Sequence, residues 1–412
     1  MMKGETTVAV IGAGAAGIAA ARRLHDAGVP CLLVEARARL GGRAWTIEAG
    51  GHAVDLGCGW LHSADRNEWT RIAEAQGRTI DRSRPPWQRA QAARDLTPEE
   101  RRAVQEAMTE FFERVSAAAT KERDIAAGEL LEPGGRWNGL INSVVSYISG
   151  GDAERVSVRD FENYEDTEVN WRVIEGYGAV IAAHGADLPV LLDCPVTRID
   201  HSGKQLRIET SRGPVMAEKA IVTLPSTILS ENETLFAPAL PEKTQAAAGV
   251  PLGLADKLYL ALDRADEFTR DTRLYGRTDR STGSYTVHAY GLPRIECYYG
   301  GGLAAELERG GERAFFDHAV TELCGHFGSA FAERVRLLAL HRWGADPFAR
   351  GSYSFALPGH TGDRQTLAAP VDGRLFFAGE ACSKHDFSTA HGAYRTGILA
   401  AEQVMAGLPV GR

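Results

Sequence analysis

The sequence predicts an α/β fold in which a Rossmann-like dinucleotide-binding domain is interleaved with a second domain of sheet and helices. Three observations predict it. The first fifty residues run strand, glycine turn, helix, strand and acid in register. Apolar strand-like runs return at 190–223 and 375–377, after a helical stretch and a further sheet-like stretch. At 412 residues the chain also exceeds one ordinary hydrophobic core, so two domains are expected.

Residues 7–11 read as a short buried strand. Gly12, Ala13, Gly14, Ala15, Ala16 and Gly17 follow at the opening of a helix. Gly12 suits the tight turn, Gly14 lets backbone N–H groups approach a pyrophosphate, and Gly17 permits close helix–strand contact. A second strand over 31–34 ends at Glu35, about twenty residues on, where a carboxylate can accept hydrogen bonds from a ribose diol. Glycine turns also arise for chain packing alone, but here the four parts share one register. Beyond Glu35 come Ala36, Arg37 and then Gly41, Gly42 and Arg43, a glycine pair between cationic side chains. Arg43 can make charge-assisted bonds to a buried diphosphate.

Residues 55–62 read Asp-Leu-Gly-Cys-Gly-Trp-Leu-His, and the small residues Gly57, Cys58 and Gly59 before Trp60 allow backbone to approach a flat ring. A glycine turn beside a buried tryptophan is the plainer reading. Pro85 and Pro86 mark a break. Thr97, Pro98 and Glu100 then read as a capped helix start, followed by Val104, Met108, Phe111, Phe112 and Val115 at helical spacing. The stretch 85–170 is expected to be mostly helical. Strands are expected at 190–192, 195–199, 205–208 and 220–223, then at 257–262 and 286–290, with helices around 312–329. A buried strand at 375–377 leads to Gly379 and Glu380, and a helix is expected to start near Thr389 and Ala390.

Charge and composition narrow the function. The net charge of −8 argues against a nucleic-acid surface and is compatible with cationic ligands. The six cysteines show no CxxC pair and no metal-like cluster with histidine, so no metal is expected and a reducing compartment fits. No apolar run reaches bilayer length, and neither end reads as a leader or an anchor. A soluble, cytoplasmic protein is the expectation.

Together these motifs resemble the flavin-dependent amine oxidase superfamily of monoamine oxidases, polyamine oxidases and flavin histone demethylases, most closely its polyamine (spermine) oxidase branch. The run 35–43 is similar to the family's GG motif. The run from Trp343 through Asp346-Pro347 to Arg350-Gly351-Ser352-Tyr353-Ser354, and the run Ser388-Thr389-Ala390-His391-Gly392-Ala393, carry the branch resemblance. The resemblance implies a GR2-type, Rossmann-like FAD-binding domain built from 1–84, 171–252 and 346–412. It also implies a substrate domain of mixed sheet plus helices, built from 85–170 and 253–345.

The resemblance assigns roles as well. Lys257 is expected beside flavin N5, holding a water and favouring electron transfer to oxygen. Tyr353 is expected to face the flavin and flank the substrate nitrogen. Thr389 stands where monoamine oxidases place a second tyrosine, so the full aromatic cage is absent and a roomier site is implied. Ser352 replaces the cysteine that links flavin covalently in those enzymes, which implies noncovalent FAD. His62 matches a histidine at the mouth of polyamine oxidase tunnels, and a structural histidine explains it equally well. Trp343 matches a tryptophan beside the isoalloxazine, Val196 an adenine contact through its backbone, and Glu380 an acid on the ribityl chain; Trp343 reads equally well as core and Val196 as an ordinary strand residue. The N–H near Ala390 is expected to meet flavin O2.

The implied activity is oxidation of an amine, secondary or polyamine, by hydride transfer from the α carbon to N5, imine hydrolysis and reoxidation by O2 to hydrogen peroxide. The partners are a small-molecule amine and O2, with the oligomeric state left open. An L-amino-acid oxidase is the rival enzyme reading, and it requires an arginine facing the flavin. A desaturase or porphyrinogen oxidase is disfavoured by the lysine strand and the Gly-Ser-Tyr run. A flavin-free prenyl-GTPase chaperone of the same fold is the rival binding-protein reading.

Overall fold

A computed structural model describes residues 5–88, 96–278 and 280–408. The chain termini and part of the 85–170 stretch lie outside these residues. The first strand, Glu5–Ile11, is the axis of an eight-stranded sheet, with Cys31–Val34 and Val215–Val222 as its parallel neighbours. A strand flanked by parallel partners is covered on both faces, which is why it reads as an unbroken apolar run. Val8 and Val10 enter the core on one face, and Ala9 and Ile11 enter that on the other. Fully burying a valine or isoleucine of this strand contributes roughly 1.5–3 kcal/mol.

Leu375–Phe377 joins the sheet beside Val215–Val222, and Val196–Asp200 with Leu206–Thr210 extend it as an antiparallel pair. One face is covered by the helices Ala15–Asp26 and Ala390–Ala406, from opposite ends of the chain. They approach closely because Gly397 has no side chain. A Cβ there would lie 2.2 Å from the Ala16 carbonyl oxygen.

The second sheet has the order Thr272–Tyr275, Ser284–Val287, Arg294–Gly300, Ala255–Leu262, Val335–Leu340. Every adjacent pair is antiparallel, which corrects the expected mixed sheet. The short links between its three consecutive strands permit hairpins and leave no room for parallel crossovers. The strand expected over 286–290 stops at Val287. His288 (φ 53°) and Tyr290 (φ 62°) take left-handed backbone that ends the ladder. The helix expected near 312 begins earlier, at Gly301, and is broken at Gly311 (φ 75°).

In the helical stretch, Pro98–Ala119 starts with the expected capping box, Thr97 and Glu100 each satisfying the other's backbone N–H. The shorter helices Asn138–Ser149 and Val158–Asn163 complete this layer. A three-way crossing fixes it to the second sheet. Leu254 donates to the Gly150 carbonyl at 2.9 Å, Gly253 to that of Tyr353 at 2.9 Å, and Ser352 to that of Gly253 at 2.7 Å. Only glycine fits at 253, where a Cβ would lie 2.3 Å from the Gly150 carbonyl carbon.

Candidate active site

A single cavity of about 1530 Å³ runs from the first βα turn into the space between the second sheet and the helical layer. That exceeds the usual pocket for one small ligand. Its two ends are built differently, and the first is a groove. Gly12 (φ 99°) makes the turn, and Gly17 could not carry a side chain, because its Cβ would fall 1.8 Å from the Gly12 carbonyl oxygen. At Gly14 the added atom would meet nothing nearer than 3.9 Å, so the space beside it is open to the cavity. Ala15, Ala16, Ala36, Arg37, Gly42, Arg43 and Val196 line the same groove.

Glu35 is buried, and its carboxylate accepts from the N–H groups of Ala13 at 2.7 Å and Arg37 at 2.9 Å. The strand's end and the glycine turn are thereby locked together. Arg37 in turn pairs with Asp346 at 2.6 Å. Burial opposes ionisation of Asp346, but His341, Arg37 and the Phe348 N–H outweigh it and bring its pKa down to about 2.

Further along, Arg43 Nη1 donates to Glu380 Oε1 at 2.8 Å and to the Ser352 carbonyl at 2.8 Å. Glu380 Oε2 accepts from Ser354 Oγ at 2.6 Å and Ser388 N at 2.9 Å. Burial would raise the Glu380 pKa; Arg43, Ser354 and Arg364 lower it overall, so it is held as a carboxylate. Both residues expected to meet the diphosphate and ribityl groups are thus held by each other at the cavity wall.

The inner end gathers residues far apart in sequence. Lys257 is buried on Ala255–Leu262, and its Nζ donates to the Gly57 carbonyl at 2.7 Å and that of Asp55 at 3.3 Å. The Asp55 carboxylate accepts from the N–H groups of Tyr177 and Gly178, at the start of the helix Tyr177–His184. Trp343 closes over the same segment. Its indole N–H reaches the Leu56 carbonyl at 3.0 Å, and a Cβ on Gly57 would lie 3.3 Å from its ring. Cys58, Gly59 and Trp60 continue along the cavity wall. Burial pushes the Cys58 thiol up to about 12, so it stays protonated.

Tyr353 donates to the Tyr147 carbonyl at 2.6 Å, and Tyr298 lies 2.9 Å from its hydroxyl. Because Tyr353 spends its proton on the carbonyl, Tyr298 is the donor between the two. Ser352 accepts from Ala255 N at 2.8 Å and donates to the Ala255 carbonyl at 3.0 Å, so its hydroxyl bridges to the lysine strand. Thr389 caps Ala390–Ala406, accepting from Gly392 N at 3.0 Å and donating to the Asp386 carbonyl at 2.6 Å. It and Ala390 line the cavity, so the positive end of that helix opens there. Gly379 lines the wall beside Glu380.

His62 also lines the cavity, and its Nδ1 lies 2.6 Å from Asn170 Oδ1, which fixes the proton on that nitrogen and leaves Nε2 to accept. Burial lowers its pKa, keeping the ring neutral. Trp60 meets Trp87 edge-on at 4.4 Å. Arg172, buried, is tied to Asp81 at 2.9 Å and Asp271 at 3.1 Å and lies 3.8 Å from the centre of the Tyr290 ring.

Tyr147, Tyr298, Glu296, Asn170 and Arg172 were missed by sequence reasoning. The strand Arg294–Gly300 did carry a signal. Ile295, Cys297 and Tyr299 are fully buried in the core, so the alternation sends Glu296 and Tyr298 to the other face. Among the described residues no group of histidine, cysteine, aspartate and glutamate could hold a metal, and no helix is long and apolar enough to cross a membrane.

The chain matches the family of flavin-containing amine oxidoreductases over residues 15–77 and 66–405. It is 30% identical to polyamine oxidase 5 of Oryza sativa subsp. japonica, over 96% of this chain and 87% of that protein. Polyamine oxidase 2 of Arabidopsis thaliana is 29% identical over the same shares. Lysine-specific histone demethylase 2 of Homo sapiens is 25% identical over 97% of this chain and 53% of its own length. Among solved structures, wild-type putrescine oxidase bound to putrescine superimposes with a TM-score of 0.78 at 17% identity, covering 98% of this chain and 99% of that one, a likeness of fold. A groove that ends in a buried lysine and paired tyrosines, together with these matches over nearly the whole chain, gives one conclusion: the chain belongs to the flavin-containing amine oxidoreductases and is an amine-oxidising oxidoreductase with a flavin cofactor.

Proposed function

We propose that the protein is a noncovalent-FAD oxidase of secondary amines or polyamines with O2 as acceptor. The observation that carries this reading is the continuity of one cavity from Glu35 and Gly14 to Lys257, Tyr298 and Tyr353. The residues present suit the dinucleotide. Glu35 would hold the adenosine ribose, the open space at Gly14 and the Arg43 guanidinium would take the diphosphate, and Val196 would border the adenine. Glu380 would hold the ribityl chain, and the helix start at Thr389 and Ala390 would stabilise negative charge on the flavin. When bound, FAD supplies the hydride-accepting centre and its return to the oxidised state by O2.

The protein's own contribution is orientation and electrostatics. Lys257, fixed by two carbonyls, would place its ammonium beside that centre and favour electron transfer to oxygen. Tyr353 and Tyr298 form an aromatic wall that would orient the substrate nitrogen, and Trp343 fixes the 55–59 segment that would border the flavin. His62, held neutral by burial, would accept a hydrogen bond at Nε2 from an entering amine. Ser352 has no thiol for a covalent link, and its hydroxyl is engaged with Ala255. Residues 1–84, 171–252 and 346–412 form the FAD-binding part, and 85–170 with 253–345 form the substrate part; all eight strands of the first sheet come from the former, and all five of the second from the latter.

An amino-acid oxidase needs a free guanidinium for the substrate carboxylate. The buried arginine of the chamber, Arg172, is already neutralised by Asp81 and Asp271. The reading is tested by anaerobic bleaching of the flavin band against monoamines, polyamines and amino acids. Rapid bleaching by polyamines or secondary amines is expected. Selective bleaching by amino acids would replace the reading with the rival oxidase, and no bleaching by any amine would end it.

A further inference from the structure

The link between the strands Thr272–Tyr275 and Ser284–Val287 is held from behind by one buried acid. Glu322 stands on the helix Gly301–Phe327, which packs on the sheet face away from the chamber. Its Oε1 accepts from Thr282 Oγ1 at 2.8 Å and Arg277 N at 3.2 Å, and its Oε2 from the Tyr285 hydroxyl at 2.5 Å and Gly283 N at 3.2 Å. The fit leaves no room at Gly276, where a Cβ would lie 2.0 Å from the carboxylate. Burial opposes the charge, but His318, Tyr285 and Thr282 outweigh it and hold Glu322 as a carboxylate. Such an acid fixes its surroundings stiffly, because each donor lost is a charged hydrogen bond lost.

Thr282 turns that grip toward the chamber. Its hydroxyl is held by Glu322, while its N–H donates to Ser143 Oγ at 2.9 Å and its carbonyl accepts from the Tyr147 hydroxyl. Ser143 and Tyr147 lie one turn apart on the helix Asn138–Ser149, so one residue fixes both the height and the rotation of that helix face. The two segments also meet at the backbone, since a Cβ on Gly139 would lie 2.6 Å from Arg280 Cα. Tyr147 carries the effect onward. Its carbonyl accepts from the Tyr353 hydroxyl at 2.6 Å, and its ring lies 5.8 Å from that of Tyr298. Glu322 lies outside the cavity lining and reaches the tyrosine wall through Thr282 and Tyr147.

We propose that Glu322 is a positioning residue for amine oxidation, setting the place of Tyr353 and the direction of its hydroxyl through Thr282 and Tyr147. With the Tyr353 proton committed to the Tyr147 carbonyl, its oxygen is left to accept from Tyr298, and both rings keep one orientation toward the substrate nitrogen. Loosening the link frees the helix to shift. The reacting carbon is then presented less often in line with its acceptor, which slows the redox step more than it weakens binding. This inference rests on the oxidase reading above for what the tyrosine wall does.

The test compares flavin-loaded wild type, Glu322→Gln, Thr282→Val, Tyr147→Phe and the double variants that combine Tyr147→Phe with each of the other two. Thr282→Val keeps the buried acid and removes one hydroxyl, so it decides the matter if Glu322→Gln does not fold. The amine that bleaches wild type fastest, from a panel including spermine and N-methylbenzylamine, is mixed anaerobically with each protein over a range of concentrations. Thr282→Val and Tyr147→Phe are expected to lower the limiting rate of bleaching by about 2- to 10-fold, the range for one hydrogen bond, and Glu322→Gln by at least as much. Half-saturation should stay within about twofold of wild type. Each double variant should be no slower than its slower parent, because both changes act on one path. In the loaded proteins without substrate, amide exchange over 143–149 should rise by about 2- to 10-fold in Glu322→Gln and Thr282→Val. Losses that multiply in the double variants, a change in half-saturation alone, or unaltered rates and exchange would overturn the role of Glu322 and leave the oxidase reading standing. A wild-type flavin that no amine bleaches would overturn both.

Discussion

The groove and the chamber share one cavity but are specified in opposite ways. In the groove, most of the wall comes from residues 12–17 and 35–43, and each demand is local: a left-handed turn at Gly12, no Cβ at Gly17, an acid at the strand end. In the chamber, the lysine and the tyrosines come from segments far apart in sequence. Tyr147 is on a helix, Tyr298 on the second sheet, and Tyr353 on a loop pinned to Gly253. The contrast teaches that a binding surface made of backbone is written into a short motif. One made of side chains depends on how distant segments are brought into register.

The largest effect expected is in the groove. Gly17→Ala drives a Cβ into the Gly12 carbonyl and should cost about 3 kcal/mol or more, seen as loss of folded protein or a large fall in melting temperature. Gly14→Ala, three residues away in open space, should leave the melting temperature of the flavin-free protein nearly unchanged and weaken flavin retention instead. If both variants behaved alike, the groove would not be divided into a structural and a ligand-facing glycine.

Next is the chamber's lysine. Lys257→Met should retain flavin and slow its reoxidation by O2 by about a hundredfold, followed by stopped-flow absorbance after anaerobic reduction. Unchanged reoxidation would remove the lysine from the oxygen step.

A smaller effect separates the two regions by pH. Asp346 holds Arg37 at the groove, and its folded pKa is depressed to about 2. A depressed acid contributes stability that is fully present above its unfolded value, about 4, and lost as pH falls through the folded value. Melting curves of Asp346→Asn should therefore lie below those of wild type at pH 7 and converge with them between about pH 4 and 2. A constant difference across that window would mean that the carboxylate's charge is not what stabilises the fold there.

The smallest effect belongs to the tyrosine pair. Tyr298→Phe removes a donor to Tyr353 while leaving the ring, and should change the rate of flavin reduction by about 2- to 10-fold. A change of a thousandfold would make the hydroxyl a chemical participant rather than a positioning group.

The difference between the regions also explains what could be read in advance. The cradle, the acid at 35 and the capped helix at 97 were legible because each rests on local stereochemistry. Lys257, Ser352, Tyr353 and Thr389 were legible only through resemblance, and the structure adds what each side chain is bonded to. Thr389 proves to be a helix cap, and Ser352 a bridge to the lysine strand. The second sheet was expected to be mixed because alternation reveals a strand but not the direction of its neighbour. The strand at 286 was extended too far because left-handed backbone at His288 and Tyr290 has no glycine to announce it.

By itself, the sequence determined a dinucleotide-type cradle, the α/β class and a negative overall charge, since strand burial, turn sterics and formal charge are properties of neighbouring residues. Tertiary structure alone decided that Arg43 meets Glu380, that Lys257 is hooked to the carbonyls of Asp55 and Gly57, and that Glu322 holds Thr282 from behind the second sheet. Those facts depend on which strands pair, in what register, and where the chain crosses itself at Gly150 and Gly253. Such long-range contacts leave no periodic trace along the chain.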